Sequence, residues 1–154
     1  MTVDPRKSSQ RSNDMKVMVI VKATRDSEAG VLPAQERLAE MGQFNEQLVK
    51  AGVMLAAEGL QSSAKGVRVR FDSGKSTVLD GPFAETKELI AGFWIWQVRS
   101  LDEAVEWIRR SPFRKSHEEI EIRRVFEPED FGDNLTPELR TQEARLRAQS
   151  TGRG

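Results

Sequence analysis

Acid–base side chains stand beside apolar segments at three places in this sequence. Asp80 opens the run Asp80-Gly81-Pro82-Phe83, and Glu85, Thr86, Lys87 and Glu88 follow it closely. Lys22 and Glu58 each stand near the C-terminal end of an otherwise apolar segment. A carboxylate in such a setting can take up a proton, and an ammonium can stabilise developing negative charge. Glu58 and Asp80 are therefore candidate catalytic bases, with Lys22 as the charge stabiliser. If the two strand ends are neighbours, Glu58 would also supply the carboxylate that a buried Lys22 needs. Glu85 and Lys87 are candidate ligand contacts beside Trp94 and Trp96, whose rings could stack on a flat ligand.

Each candidate also has a plainer use. Asp, Gly and Pro are natural turn residues, so Asp80 could simply accept backbone amides while Phe83 plugs the core. Glu85 to Glu88 could be a solvated turn with weak ion pairs. The tryptophans share a strand face, which suits a core or an interface as well as a ligand platform. Both uses stay open for Asp80.

Other chemistries fail on residue type or spacing. The chain has no Cys and one His, His117, so an ordinary zinc set cannot be assembled. Glu127, Glu129, Asp130 and Asp133 lack the spacing of a calcium loop and read as solvated. Ser73-Gly74-Lys75-Ser76-Thr77 contains Gly-Lys-Ser, but the earlier glycine of a phosphate loop would fall at Val69. No Gly-x-Ser-x-Gly elbow is present. No metal and no cofactor is expected.

The elements that must position these residues follow from periodicity. Lys16 to Val21 alternates as a strand with apolar groups on both faces. Asp26 to Leu32 reads as a polar loop. Leu38, Met41, Phe44 and Leu48 recur at helical spacing over Ala34 to Ala51, with Pro33 before and Gly52 after. Val53 to Leu60 is a second strand. Gly66 to Phe71 and Ser76 to Leu79 flank turn residues and form a hairpin. Phe93 to Arg99 is an aromatic strand. Ser100 to Glu103 is a capping box opening a helix that ends at Ser111-Pro112. Glu119 to Phe126 is a last strand, and Pro137 to Gln149 a polar, basic helix or tail.

This order is a ferredoxin-like split βαβ, class α+β, with an inserted β-hairpin. Two helices cover one face of an antiparallel sheet, whereas the strands are apolar on both faces. A second copy is expected on the other face, so the protein is expected to be a homodimer.

The 154 residues suit one domain, with residues 1–14 as a disordered extension, 15–131 as the fold and 132–154 as the polar tail. Lys plus Arg and Asp plus Glu both number 24, and that balance disfavours direct nucleic-acid binding. No apolar run approaches a membrane span and no signal-peptide pattern opens the chain, so a soluble cytoplasmic protein is expected.

Asp80-Gly81-Pro82-Phe83-Ala84-Glu85-Thr86-Lys87-Glu88 closely resembles the signature of the DGPF family, a branch of the YCII-related proteins. Met15 to Lys22, Ala51 to Leu60, Ser100 to Ala104 and Glu119 to Arg123 resemble further parts of that domain. The resemblance implies a dimeric α+β barrel and no settled reaction. Some DGPF members are linked with extracytoplasmic-function sigma factors, which implies a regulatory role in transcription initiation as an alternative. Other YCII-related proteins are proposed enzymes with a His–Asp pair whose His lies in the first helical region. Here that helix has no His, so that mechanism does not carry over.

Taken together, a homodimer with a small-molecule cleft and acid–base activity is expected. The alternative is a non-enzymatic regulatory module.

Overall fold

Val17 and Val19 point to one side of the first strand and Met18 and Ile20 to the other; that alternation organises the sheet. The computed structural model describes residues 14–151. The expected disordered segment 1–14 lies outside them except for Asp14.

The described residues form two compact units, 14–124 and 125–151. In the first unit the order is β1 (Met15–Lys22), a single turn α1 (Arg25–Glu28), α2 (Gln35–Lys50), β2 (Met54–Gly59), β3 (Val67–Asp72), β4 (Lys75–Asp80), β5 (Ile90–Val98), α3 (Leu101–Arg109) and β6 (Ile120–Arg124). The second unit holds a 3-10 segment and the helix α4 (Pro137–Thr151). α4 has no buried residue and only a faint apolar stripe.

The main sheet has the order β2-β5-β1-β6, with antiparallel neighbours throughout. β1 and β2 are thus parallel strands split by β5, an order compatible with the ferredoxin-like arrangement. β3 and β4 pair only with each other, as a separate two-stranded sheet.

Helices α2 and α3 lie on the face that carries Val17, Val19, Trp94, Trp96 and Val98. Phe44 and Leu48 of α2 enter that core, where the Phe44 ring meets Trp94 edge-on at 6.0 Å and Trp96 at 6.3 Å. Such aromatic edges add to the area they bury. Trp94 Nε1 donates to Asn45 Oδ1 at 2.9 Å. Trp96 Nε1 is buried without a partner among the described residues.

Local chemistry explains most boundaries. Ser100 caps α3 by accepting the Glu103 amide, while Glu103 takes the Arg99 amide rather than closing the full box on Ser100. A reciprocal capping box closes instead at Thr24 and Ser27. It turns the start of the expected polar loop, as far as Glu28, into α1, while 29–32 stay outside any helix. β5 begins at Ile90, earlier than expected, because Ile90 pairs with Lys22 of β1 and Ala91 accepts the amide of Leu60.

Candidate functional site

The second face of the sheet carries its own pattern. Cross-strand pairing aligns Glu58, Phe93, Ile20 and Glu121 in one row across all four strands. The next row is Ala56, Ile95, Met18 and Arg123. The centre is therefore apolar, and the row ends Glu58, Glu121 and Arg123 are charged. Lys22 lies two residues beyond Ile20, and its Nζ approaches Glu121 Oε1 at 3.2 Å.

That contact corrects the expected Lys22–Glu58 pair. β5 lies between β1 and β2, so the two residues are two strand spacings apart, about 10 Å. Glu121 on the adjacent β6 takes the carboxylate role instead. Glu58 itself is exposed and has no hydrogen-bond or ion-pair partner among the described residues. The alternation of Ile120 and Ile122 already put Glu121 on this face; only the strand order, a long-range property, was missing.

The tryptophans are also corrected. Trp94 and Trp96 are 4% and 0% exposed, on the helix-covered face. They back the sheet from beneath and present no ring to a ligand. Phe93 and Ile95, at the intervening positions, occupy the second face.

The turn at Asp80-Gly81-Pro82-Phe83 is built from partners elsewhere in the chain. The Gly81 amide donates to the Gly66 carbonyl at 3.0 Å, and the Phe83 amide donates to Ser63 Oγ at 3.1 Å. Ser63 Oγ in turn donates to Glu28 Oε2 at 2.5 Å, and its amide donates to Glu28 Oε1 at 3.1 Å. Ser62 Oγ donates to the Glu28 carbonyl at 2.6 Å. A Cβ on residue 81 would fall 1.7 Å from the Ser63 carbonyl oxygen, so only glycine fits there. Phe83 does not plug the core; the Arg68 guanidinium stacks on its ring at 3.8 Å.

These bonds satisfy the turn amides without the Asp80 side chain. Its carboxylate is exposed and has no partner among the described residues. Asp80 is the last residue of β4, directly across from Val67. Glu85 precedes and Lys87 lies within a one-turn 3-10 helix at Thr86–Glu88; both side chains are exposed and unpaired among the described residues.

Within one chain, then, Lys22 and Glu58 share the second face of the sheet, while Asp80, Glu85 and Lys87 belong to the hairpin and its exit turn. A shallow basin of about 530 Å³ beside Val53, Arg99, Glu103 and Arg110 includes none of them. His117 is exposed. No cluster of three His, Cys, Asp or Glu side chains suited to a metal ion occurs among the described residues. No helix among them is long and apolar enough to cross a membrane.

Sequence reasoning did not find Glu28 or Ser63. Glu28 stood in what read as a polar loop, and its partner is 35 residues away.

Residues 15–129 match the YCII-related domain. An uncharacterized protein of Rhizobium meliloti (strain 1021) is 33% identical over 72 residues. That match covers 47% of this chain and 58% of the relative, so the chain spans less than two thirds of the relative's length.

Proposed function

The chain belongs to the YCII-related domain family, and from that premise we propose that it works as a homodimer enclosing a small-molecule-binding cleft with acid–base activity. Within the family, the nine residues Asp80 to Glu88 point to the DGPF branch. The observation that carries the reading is the row Glu58, Phe93, Ile20 and Glu121, with Lys22 beside it. An apolar centre rimmed by charges of both signs suits both burial against a second copy and orientation of a small polar ligand. Both signs occur at the rim, in Glu58, Glu121, Lys22 and Arg123, so a two-fold related copy can meet it with complementary charge.

In this reading Glu58 or Asp80 takes a proton from the ligand. Lys22, held by Glu121, stabilises the resulting negative charge. Asp80 is available because Ser63 and Gly66 carry out the backbone work that its carboxylate would otherwise do. Glu85 and Lys87 line the mouth. The fold hosts many functions and does not by itself select this one.

The test is a thermal-shift screen of small organic acids, amines and carbonyl compounds against wild type, Asp80→Asn and Glu58→Gln. A compound that raises the melting temperature of wild type but of neither variant supports the cleft. Compounds that act equally on all three place binding elsewhere and overturn it.

A further inference from the structure

The hairpin β3–β4 is built with its apolar side outward. Val67, Val69, Phe71 and Val78 are 61%, 50%, 78% and 63% exposed. Val69 pairs across from Val78, and Asp80 pairs across from Val67, so all five side chains share one face. The opposite face carries Arg68, anchored on the Phe83 ring, and Arg70. The base is fixed by the Gly81–Gly66 bond and by the Glu28–Ser63–Phe83 chain of bonds. The apolar side is thus held away from its own anchoring contacts.

An apolar face of this kind on a two-stranded ribbon marks an interaction site, since an isolated hairpin gains little stability from exposing it. Two observations select the occupant. On the dimer reading the second face of the main sheet, where Met18, Phe93 and Ile95 are half-buried and Ile20 is 9% exposed in the single chain, also packs on the partner, and it is small. Its strands run from five to nine residues. At ~4.8 Å spacing and ~3.3 Å per residue, the four strands present a footprint on the order of 400 Å². Specific, stable interfaces bury about 600–1,000 Å² per partner. The hairpin, with two six-residue strands, adds roughly 200 Å² to that footprint.

We infer that the β3–β4 hairpin is an arm that seats Val67, Val69, Phe71 and Val78 on a second copy of this chain and thereby carries Asp80 into the dimer interface. The inference rests on the dimer reading above and adds to it that the cleft is composite. Lys22 and Glu58 come from the sheet face of one copy, and Asp80 comes from the arm of the other. That assignment accounts for two observations at once. Asp80 is relieved of backbone duty, and it lies on a different structure from Lys22 and Glu58.

Sedimentation velocity over a wide concentration range tests this with wild type, Val69→Asp, Phe71→Asp and the opposite-face control Arg70→Ser. The substituted positions are exposed, so thermal melting should show all four chains folded. The expected result is a dimeric wild type and control, with association weakened about tenfold or more in both apolar-face variants. The chain lacks Cys, so Val78→Cys takes a single environment-sensitive dye. Its emission should shift to the red as dilution splits the dimer. Apolar-face variants that dimerise like wild type, or a dye that ignores dissociation, overturn the arm and leave the dimer intact. A wild type that stays monomeric throughout overturns both. Vesicle flotation that depends on Phe71 while dimerisation does not would assign the face to a lipid surface and also overturn the arm.

Discussion

Ser63 Oγ donates to Glu28 Oε2 at 2.5 Å while accepting the Phe83 amide at 3.1 Å. One hydroxyl therefore ties the loop after β1, the turn after β2 and the exit of the hairpin. A carboxylate that accepts both the hydroxyl and the amide of Ser63 is a charge-assisted bond pair, stronger than neutral bonds of the same length.

Glu28→Ala should accordingly lower stability by about 2 kcal/mol, because it removes bonds to a charged group and leaves the Ser63 amide to water. For a chain of this size that is a fall of about 4–8 °C in melting temperature. Ser63→Ala should act through the same contacts, so the double variant should lose less than the sum. Urea melts of the two single variants and the double variant measure this. Strict additivity would mean that the two residues do not act as one unit.

Gly81→Ala should be worse than either. The new Cβ would overlap the Ser63 carbonyl, which is backbone and cannot rotate away. The turn must open, at about 3 kcal/mol or more. The check is the urea midpoint against Gly74→Ala. At Gly74 a Cβ meets nothing within 4 Å, although its φ of +89° still imposes strain. If Gly81→Ala costs no more than Gly74→Ala, a small shift of the turn relieves the clash and the contact with Ser63 does not set the requirement at Gly81.

The core offers an internal contrast. Trp94 Nε1 has a partner in Asn45, whereas Trp96 Nε1 is buried without one among the described residues. Asn45→Leu should cost about 1–3 kcal/mol by stranding a buried donor. Adding Trp94→Phe removes that donor, so the pair should show coupling of about 1 kcal/mol. Trp96→Phe combined with Asn45→Leu should be additive. Coupling at Trp96 equal to that at Trp94 would contradict the hydrogen-bond assignment.

The parts legible in the sequence were those set by local pattern. Val17, Val19, Phe44, Leu48 and the Ser100 cap are readable because periodicity and capping act within one turn or one strand. Three things were not local. The strand order puts β5 between Lys22 and Glu58, and no window around either residue contains that fact. β5 is apolar at every position from Phe93 to Trp96, so alternation alone does not say which face meets the helices. The size of the indoles decided it, since they fill the space beside Phe44 and Leu48 while Phe93 and Ile95 turn the other way. The hairpin read correctly as a hairpin, but its inversion depends on the Arg68–Phe83 stack, a contact between residues 15 positions apart in sequence.

The Lys22–Glu121 pair separates stability from binding. Its side chains are 21% and 40% exposed, so water screens the pair and Glu121→Gln should change stability by less than about 1 kcal/mol. Its effect on ligand binding should be larger. Without Glu121 the Lys22 ammonium loses its orientation, and any compound that stabilises wild type in the screen should stabilise Glu121→Gln less. Equal ligand-induced shifts in the two proteins would remove Lys22 from the cleft.

Mixing variants distinguishes a composite cleft from one contained in a single chain. Asp80→Asn and Glu58→Gln homodimers should each fail to bind a compound that stabilises wild type. If Asp80 and Glu58 meet across the interface, a mixed dimer has one cleft with both substitutions and one with neither. Unfolding and refolding the two variants together should then restore binding to a stoichiometry of about one site per four chains, because half of randomly assembled dimers are mixed. If both residues serve the cleft of their own chain, every cleft in the mixture carries one substitution and nothing is restored. Isothermal titration of the refolded mixture gives the number directly. Zero restored sites with a dimeric mixture would place Asp80 in its own chain's cleft, whatever the hairpin touches.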